Sequence, residues 1–78
     1  MSELSRLKMR SRRGLKELDV VLQHYLEHHY PSASPTDIQR LDELLDLQDP
    51  LLFGMLLGMD PVPEAYTALI NTLRQAHD

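Results

Sequence analysis

Helix breakers set the plan of this chain before any other feature does. Five prolines, with the glycines Gly14 and Gly58, cut its 78 residues into short pieces. Within each piece the apolar residues recur at three- and four-residue spacing, as they do along a helix buried on one side. No stretch alternates apolar and polar residues in the manner of a half-buried strand. The chain is therefore expected to be all-α, a single small five-helix bundle over residues 1–78, with short connections that pack neighbouring helices together.

Taken in order, residues 2–12 read as a first helix, capped by Ser2 with Glu3 in its first turn. Leu4 and Leu7 share one face; Arg6, Arg10 and Arg13 would share another if the helix ran that far. Gly14 interrupts. It can take a positive φ and turn the chain, or let a partner backbone come close. Residues 15–30 make the second helix, with Leu15, Leu18, Leu22, Tyr25, Leu26 and His29 on the inward stripe and Val21 beside it. Pro31 ends it, because the residue before a proline is pushed out of helical angles, and residues 31–34 form a loop.

Ser34-Pro35-Thr36-Asp37 is a start signal: a cap, a proline at the first helical position, and an acid near the positive end of the dipole. The third helix covers 35–48, with Ile38, Leu41, Leu44, Leu45 and Gln48 on the periodic face and Asp42, Glu43 and Asp46 outward. Asp49-Pro50 repeats the cap-then-proline signal for a fourth helix over 50–57, ended by Gly58. That helix is apolar nearly all round and is expected to be central. A turn with Pro61 and Pro63 leads to a last helix over 63–76, with Ala65, Leu69, Ile70 and Leu73 inward.

Charge and composition narrow the functions open to such a bundle. The chain has no cysteine, which removes disulfides, thiolate chemistry and Cys-rich zinc sites. Its net charge is -4, yet six of the eight Lys and Arg residues lie between Arg6 and Lys16, and five acids lie between Asp37 and Asp49. Such polarity orients a partner and speeds encounter. The longest apolar run, residues 51–59, holds two glycines and is too short to cross a bilayer. A basic N-terminus with no apolar segment after it is not a secretory signal, and helix from the first residues leaves no room for a transit peptide. A cytoplasmic protein without membrane insertion is the expectation.

No enzyme chemistry is visible. There is no phosphate-cradling glycine loop, no nucleophile elbow and no spacing that pairs two carboxylates in a cleft. Nucleic acid is disfavoured by an acidic surface with little aromatic interleaving. His24 and His28 stand four apart on a helix, but two imidazoles are not a metal site, and they read as polar-face and helix-end histidines. Met55 and Met59, with Leu51, Leu52, Phe53, Leu56 and Leu57, read as core rather than as a ligand pocket.

What remains is Arg12-Arg13-Gly14-Leu15-Lys16-Glu17-Leu18-Asp19. One reading is a solvated helix face with an intrahelical Arg13–Glu17 pair, which contributes a few tenths of a kcal/mol or so, roughly. The other is a contact surface. Guanidinium forks at Arg12 and Arg13 grip a partner carboxylate or phosphate, Glu17 takes a partner donor, and Gly14 allows close approach.

Arg13-Gly14-Leu15-Lys16-Glu17 matches an RGxxE motif, and Leu44-Leu45…Asp49-Pro50-Leu51-Leu52-Phe53 matches a second block at the right separation. In these residues the chain resembles the succinate dehydrogenase assembly factors that promote flavinylation of the flavoprotein subunit. The likeness runs roughly from Arg6 to Leu73. Gly54-Met55 departs from it, since many relatives carry a tryptophan after the Leu-Phe pair. The resemblance implies a five-helix chaperone, not an enzyme, whose partner is the FAD-carrying subunit of succinate dehydrogenase, with that of fumarate reductase as a further client. FAD stays on the partner, whose own histidine forms the covalent bond, and this chain binds no cofactor tightly. It also implies roles: Arg13 and Glu17 make polar contacts, Gly14 lets the surfaces close, and Arg12 and Lys16 add charge. The alternative is a regulatory, antitoxin-like interaction module with a partner that is not a flavoprotein. A direct FAD carrier is disfavoured by the missing phosphate loop.

Overall fold

The computed structural model describes residues 2–77, with side chains as far as Gln75. Met1 and Asp78, counted in the single domain above, lie outside it. The described residues form α1 (Glu3–Arg10), α2 (Lys16–His28), α3 (Pro35–Leu45), α4 (Asp49–Leu56) and α5 (Thr67–His77), with no strand. Single 3-10 turns at Tyr30–Ser32 and Glu64–Tyr66 lead into α3 and α5.

The local start signals act as their chemistry demands. Ser2 Oγ accepts the Ser5 N–H at 3.1 Å. Ser34 Oγ accepts the Asp37 N–H at 3.1 Å, and Asp37 Oδ2 accepts the Ser34 N–H at 3.2 Å, a reciprocal capping box. Such a cap contributes about 1 kcal/mol. Pro35 and Pro50 sit in first turns, where the missing N–H leaves no unmet bond.

The core is a leucine cluster. Leu7, Leu18, Leu22, Leu41, Leu44, Leu52, Met55, Ile70 and Leu73 are fully buried. The most extensive helix contact joins α2 to α5, and α1, α3 and α4 close around that pair. Ser11 is also fully buried; its hydroxyl donates to the Leu7 carbonyl at 2.7 Å, so the end of α1 enters the core without an unmet polar group.

Several sequence expectations shift. α1 stops at Arg10, and α3 at Leu45, each short of its expected end. Pro31 does not open a loop at once but stands in the first turn of the 3-10 segment. Gln48, expected on the α3 stripe, is instead the residue before α4, and Asp49 is the first helical residue rather than its cap. Leu15, expected inward, is the N-cap residue of α2 and is 41% exposed, because its extended backbone swings the side chain off the helical stripe. Ala65 falls in the 3-10 turn and is exposed; the tighter pitch puts Tyr66 against the core instead.

α4 is central on one side only. Leu52, Met55 and Leu56 are buried, but Leu51 and Leu57 are 44% and 43% exposed, and Met59 is 77% exposed rather than core. A two-turn helix against a bundle of this size has one face left over. Its C-terminal end is finished by neighbours. Arg74 of α5 donates from Nη2 to the Met55 carbonyl at 2.8 Å and from Nε to the Leu56 carbonyl at 3.2 Å. The Met59 and Asp60 N–H groups both donate to the Gly54 carbonyl, at 2.8 and 3.2 Å. A Cβ on Gly54 would run into the Asp60 carboxylate. The glycine at this position is what lets the 58–60 turn fold down on the helix.

Candidate protein-docking site

Half of the basic N-terminus is spent on the chain itself. Arg6 of α1 forks onto Asp42 of α3, with Nη1 to Oδ1 at 2.9 Å and Nη2 to Oδ2 at 3.1 Å. Arg10 follows one turn later and pairs with both Asp42 and Asp46. Asp42 is therefore held below the ordinary carboxylate value of 3.8, first by the Arg6 hydrogen bond, which exceeds the opposing pull of burial, and then by the charges of Arg6 and Arg10. Part of the acidic stripe and part of the basic stripe seen in the sequence thus form one interhelical zipper.

Arg13 extends this zipper into the loop. Its guanidinium pairs with Asp49 at the start of α4 and donates to the Leu47 carbonyl. It also donates to the Leu45 carbonyl at 2.9 Å and to that of Arg10 at 3.3 Å. The Arg13 side chain is only 13% exposed. The free carbonyls at the end of α3 thus find a cation, which suits the negative end of the helix dipole. The intrahelical Arg13–Glu17 pair expected from the sequence does not form. α2 begins at Lys16, so Arg13 lies outside it and turns the other way.

The loop backbone is held from a second direction. Asp19, in the first turn of α2, reaches back over the loop. Its Oδ1 accepts the Arg13 N–H at 2.8 Å and its Oδ2 accepts the Gly14 N–H at 3.3 Å. Gly14 has φ +85°, a left-handed conformation that suits glycine, while nothing lies within 4 Å of where a Cβ would stand. The glycine is needed by the turn, and the space beside it is open.

The loop being fixed, its remaining side chains face outward. Arg12, Leu15, Lys16 and Glu17 are all exposed, as is Lys8 on the preceding helix. No ion pair engages Arg12, Lys16 or Glu17 among the described residues. Met9 and Val20, 62% and 55% exposed, are the large apolar side chains on the flanking helices α1 and α2. Of the five residues singled out in the sequence, Arg12, Gly14, Lys16 and Glu17 share this displayed surface, and Arg13 lies beneath it. Asp19 and Asp49 were missed as working parts. Both stand inside the two motif blocks, but a sequence marks neither Asp49's partner 36 residues away nor the bonds from Asp19 back to the loop backbone.

The comparison with known proteins decides the family. A family model described as "Flavinator of succinate dehydrogenase" (Sdh5) matches residues 5–77, nearly the whole chain. The chain belongs to this family. Among the flavinators, the "FAD assembly factor SdhE" of Xylella fastidiosa is 38% identical over 74 residues, covering 94% of this chain and 76% of that protein. That of Methylococcus capsulatus is 41% identical over 75 residues, covering 95% and 90%. The SdhE of Coxiella burnetii is 31% identical over 71 residues, covering 90% and 87%. The small five-helix fold agrees with the expectation that the two sequence blocks raised for a flavinator. Among the described residues no helix is long and apolar enough to cross a membrane, and no cluster of three metal-ligating side chains occurs.

Proposed function

We propose that this flavinator is an assembly factor that binds the flavoprotein subunit of succinate dehydrogenase and promotes covalent attachment of its FAD. Family membership carries the reading, and the loop geometry supports it. An exposed strip with two cations, one carboxylate and exposed apolar neighbours is suited to docking on protein rather than to chemistry. Glu17 accepts a donor from the subunit, Arg12 and Lys16 meet acidic groups, and the open flank of Gly14 admits close approach. Arg13 supports the strip from below. The covalent step takes place on the partner, and FAD stays there. The factor binds best the conformer in which the flavin and its attachment residue are aligned, and so raises the population of that conformer. The flavoprotein subunit of fumarate reductase is a further client, and both would be met in the cytoplasm.

The test is direct. The purified subunit lacking covalent flavin is incubated with FAD, with and without the factor, and covalent flavin is read by fluorescence in a denaturing gel. The expected result is faster attachment with the factor and a complex that survives gel filtration. Equal rates and no complex would overturn the reading.

A further inference from the structure

We propose that Asp19 is a positioning residue for docking, holding residues 13 and 14 so that Arg12, Lys16 and Glu17 are presented in one fixed arrangement; this rests on the reading of residues 12–17 as the docking surface. The carboxylate does not belong to the surface it serves. It accepts two consecutive backbone N–H groups, at 2.8 Å from Arg13 and 3.3 Å from Gly14. Bonds from N–H to an ionised carboxylate are stronger than neutral ones. They fall on the part of the loop that most needs them. Gly14 is the residue with the widest freedom when unrestrained, and it is here set at φ +85°.

The other supports of the loop leave this joint open. Ser11 anchors the end of α1 in the core. The Arg13 side chain anchors to α3 and α4. α2 starts at Lys16 with Leu15 as an N-cap that offers no side-chain bond. Between the Arg13 side chain and the start of α2, Asp19 is the one side chain among the described residues that hydrogen-bonds the backbone. Arg12 is displayed before the joint, and Lys16 and Glu17 after it. Their relative placement is therefore set by the two bonds to Asp19. Without them the partner must order the joint as it binds, and affinity falls by the free energy of that ordering. The expected loss is roughly tenfold in affinity. Every group that touches the partner is still present, so the rate within the saturated complex should be unchanged.

The experiment uses the full chain and the flavoprotein subunit lacking covalent flavin. Half-saturating factor concentration and plateau flavinylation rate are measured for wild type, Asp19→Ala, Asp19→Asn and Glu17→Ala, together with amide hydrogen exchange of each free factor. Asp19→Ala should raise the half-saturating concentration about tenfold, keep the plateau, and speed exchange at Arg13 and Gly14 while Leu22 and Leu44 stay protected. Asp19→Asn, with one carbonyl oxygen left to accept, should fall between it and wild type. Wild-type half-saturation in Asp19→Ala, with Glu17→Ala impaired, would overturn the positioning role and leave the docking surface standing. Wild-type behaviour in both variants would remove the docking surface and the proposal with it. Exchange that speeds equally at Leu22 and Leu44 would make Asp19 a residue of the whole fold and overturn the proposal as well.

Discussion

Arg13→Ala should be among the most damaging single substitutions of a charged residue in this chain, and the cost should appear in stability before function. The Arg13 side chain is 13% exposed, and its guanidinium has four acceptors: Asp49 and the carbonyls of Leu45, Leu47 and Arg10. A hydrogen bond to a charged group contributes about 1.5–3 kcal/mol, and bonds sharing one group are not additive, so the total is about 3 kcal/mol. A domain of this length holds roughly 4–12 kcal/mol in all. At about 4–8 °C per kcal/mol, the melting temperature should fall by some 12–24 °C, roughly. Asp49→Ala should cost less, about 1 kcal/mol, because the α3 carbonyls still hold the guanidinium. Urea unfolding followed by circular dichroism, on both variants and the double variant, measures the costs and the coupling between them. If Arg13→Ala lay within about 0.5 kcal/mol of wild type, as exposed charges usually do, the anchoring role would be refuted. Equal costs for the two single variants would refute the part assigned to the carbonyls.

Other outcomes follow from the same contacts. Asp42 has its folded pKa depressed chiefly by Arg6, so its contribution to stability is complete above the ordinary carboxylate range and drains away as pH falls through the folded value. Glu43, depressed first by the Tyr66 hydroxyl, acts in the same direction. Urea midpoints taken from about pH 6 down to about pH 3 should fall, and fall less steeply in Asp42→Asn; parallel curves would contradict the zipper. Gly14→Ala should destabilise by about 1–2 kcal/mol for its left-handed backbone, and Gly14→Asn by less, since nothing crowds a Cβ there. Equal losses would point to crowding instead. Arg74→Met should cost about 1–2 kcal/mol by freeing the Met55 and Leu56 carbonyls, read as a lower thermal midpoint.

The parts of the fold that were legible are those decided within a few residues. Ser34-Pro35-Thr36-Asp37 carries its own capping box, and Leu18, Leu22, Tyr25 and Leu26 sit on one face whatever packs against them. Ends decided by tertiary contacts were not legible. α1 stops at Arg10 because Ser11 turns into the core, and Ala65 left its expected face because the chain tightens to a 3-10 turn before α5. The charge displayed by Arg12, Lys16 and Glu17, proposed above as the docking strip, was legible as a cluster in the sequence, and the burial of Arg13 within it was not. A sequence shows that Arg13 has a charge to satisfy. It does not show whether that charge meets a partner or, as here, Asp49 and the end of α3. The same ambiguity hid the pairing of Arg6 and Arg10 with Asp42.

The central claim is that Glu17 meets the partner while Arg13 builds the surface that presents it. It is tested most directly by covalent flavin on the flavoprotein subunit, measured with wild-type factor and with Glu17→Ala, each beside its own unfolding curve. Glu17 is exposed and contributes to the fold only through the dipole of α2, about 0.3–1 kcal/mol. The expected result is a variant that stays folded at the assay temperature and no longer accelerates flavinylation. A folded Glu17→Ala that supports flavin attachment as well as wild type would contradict the claim.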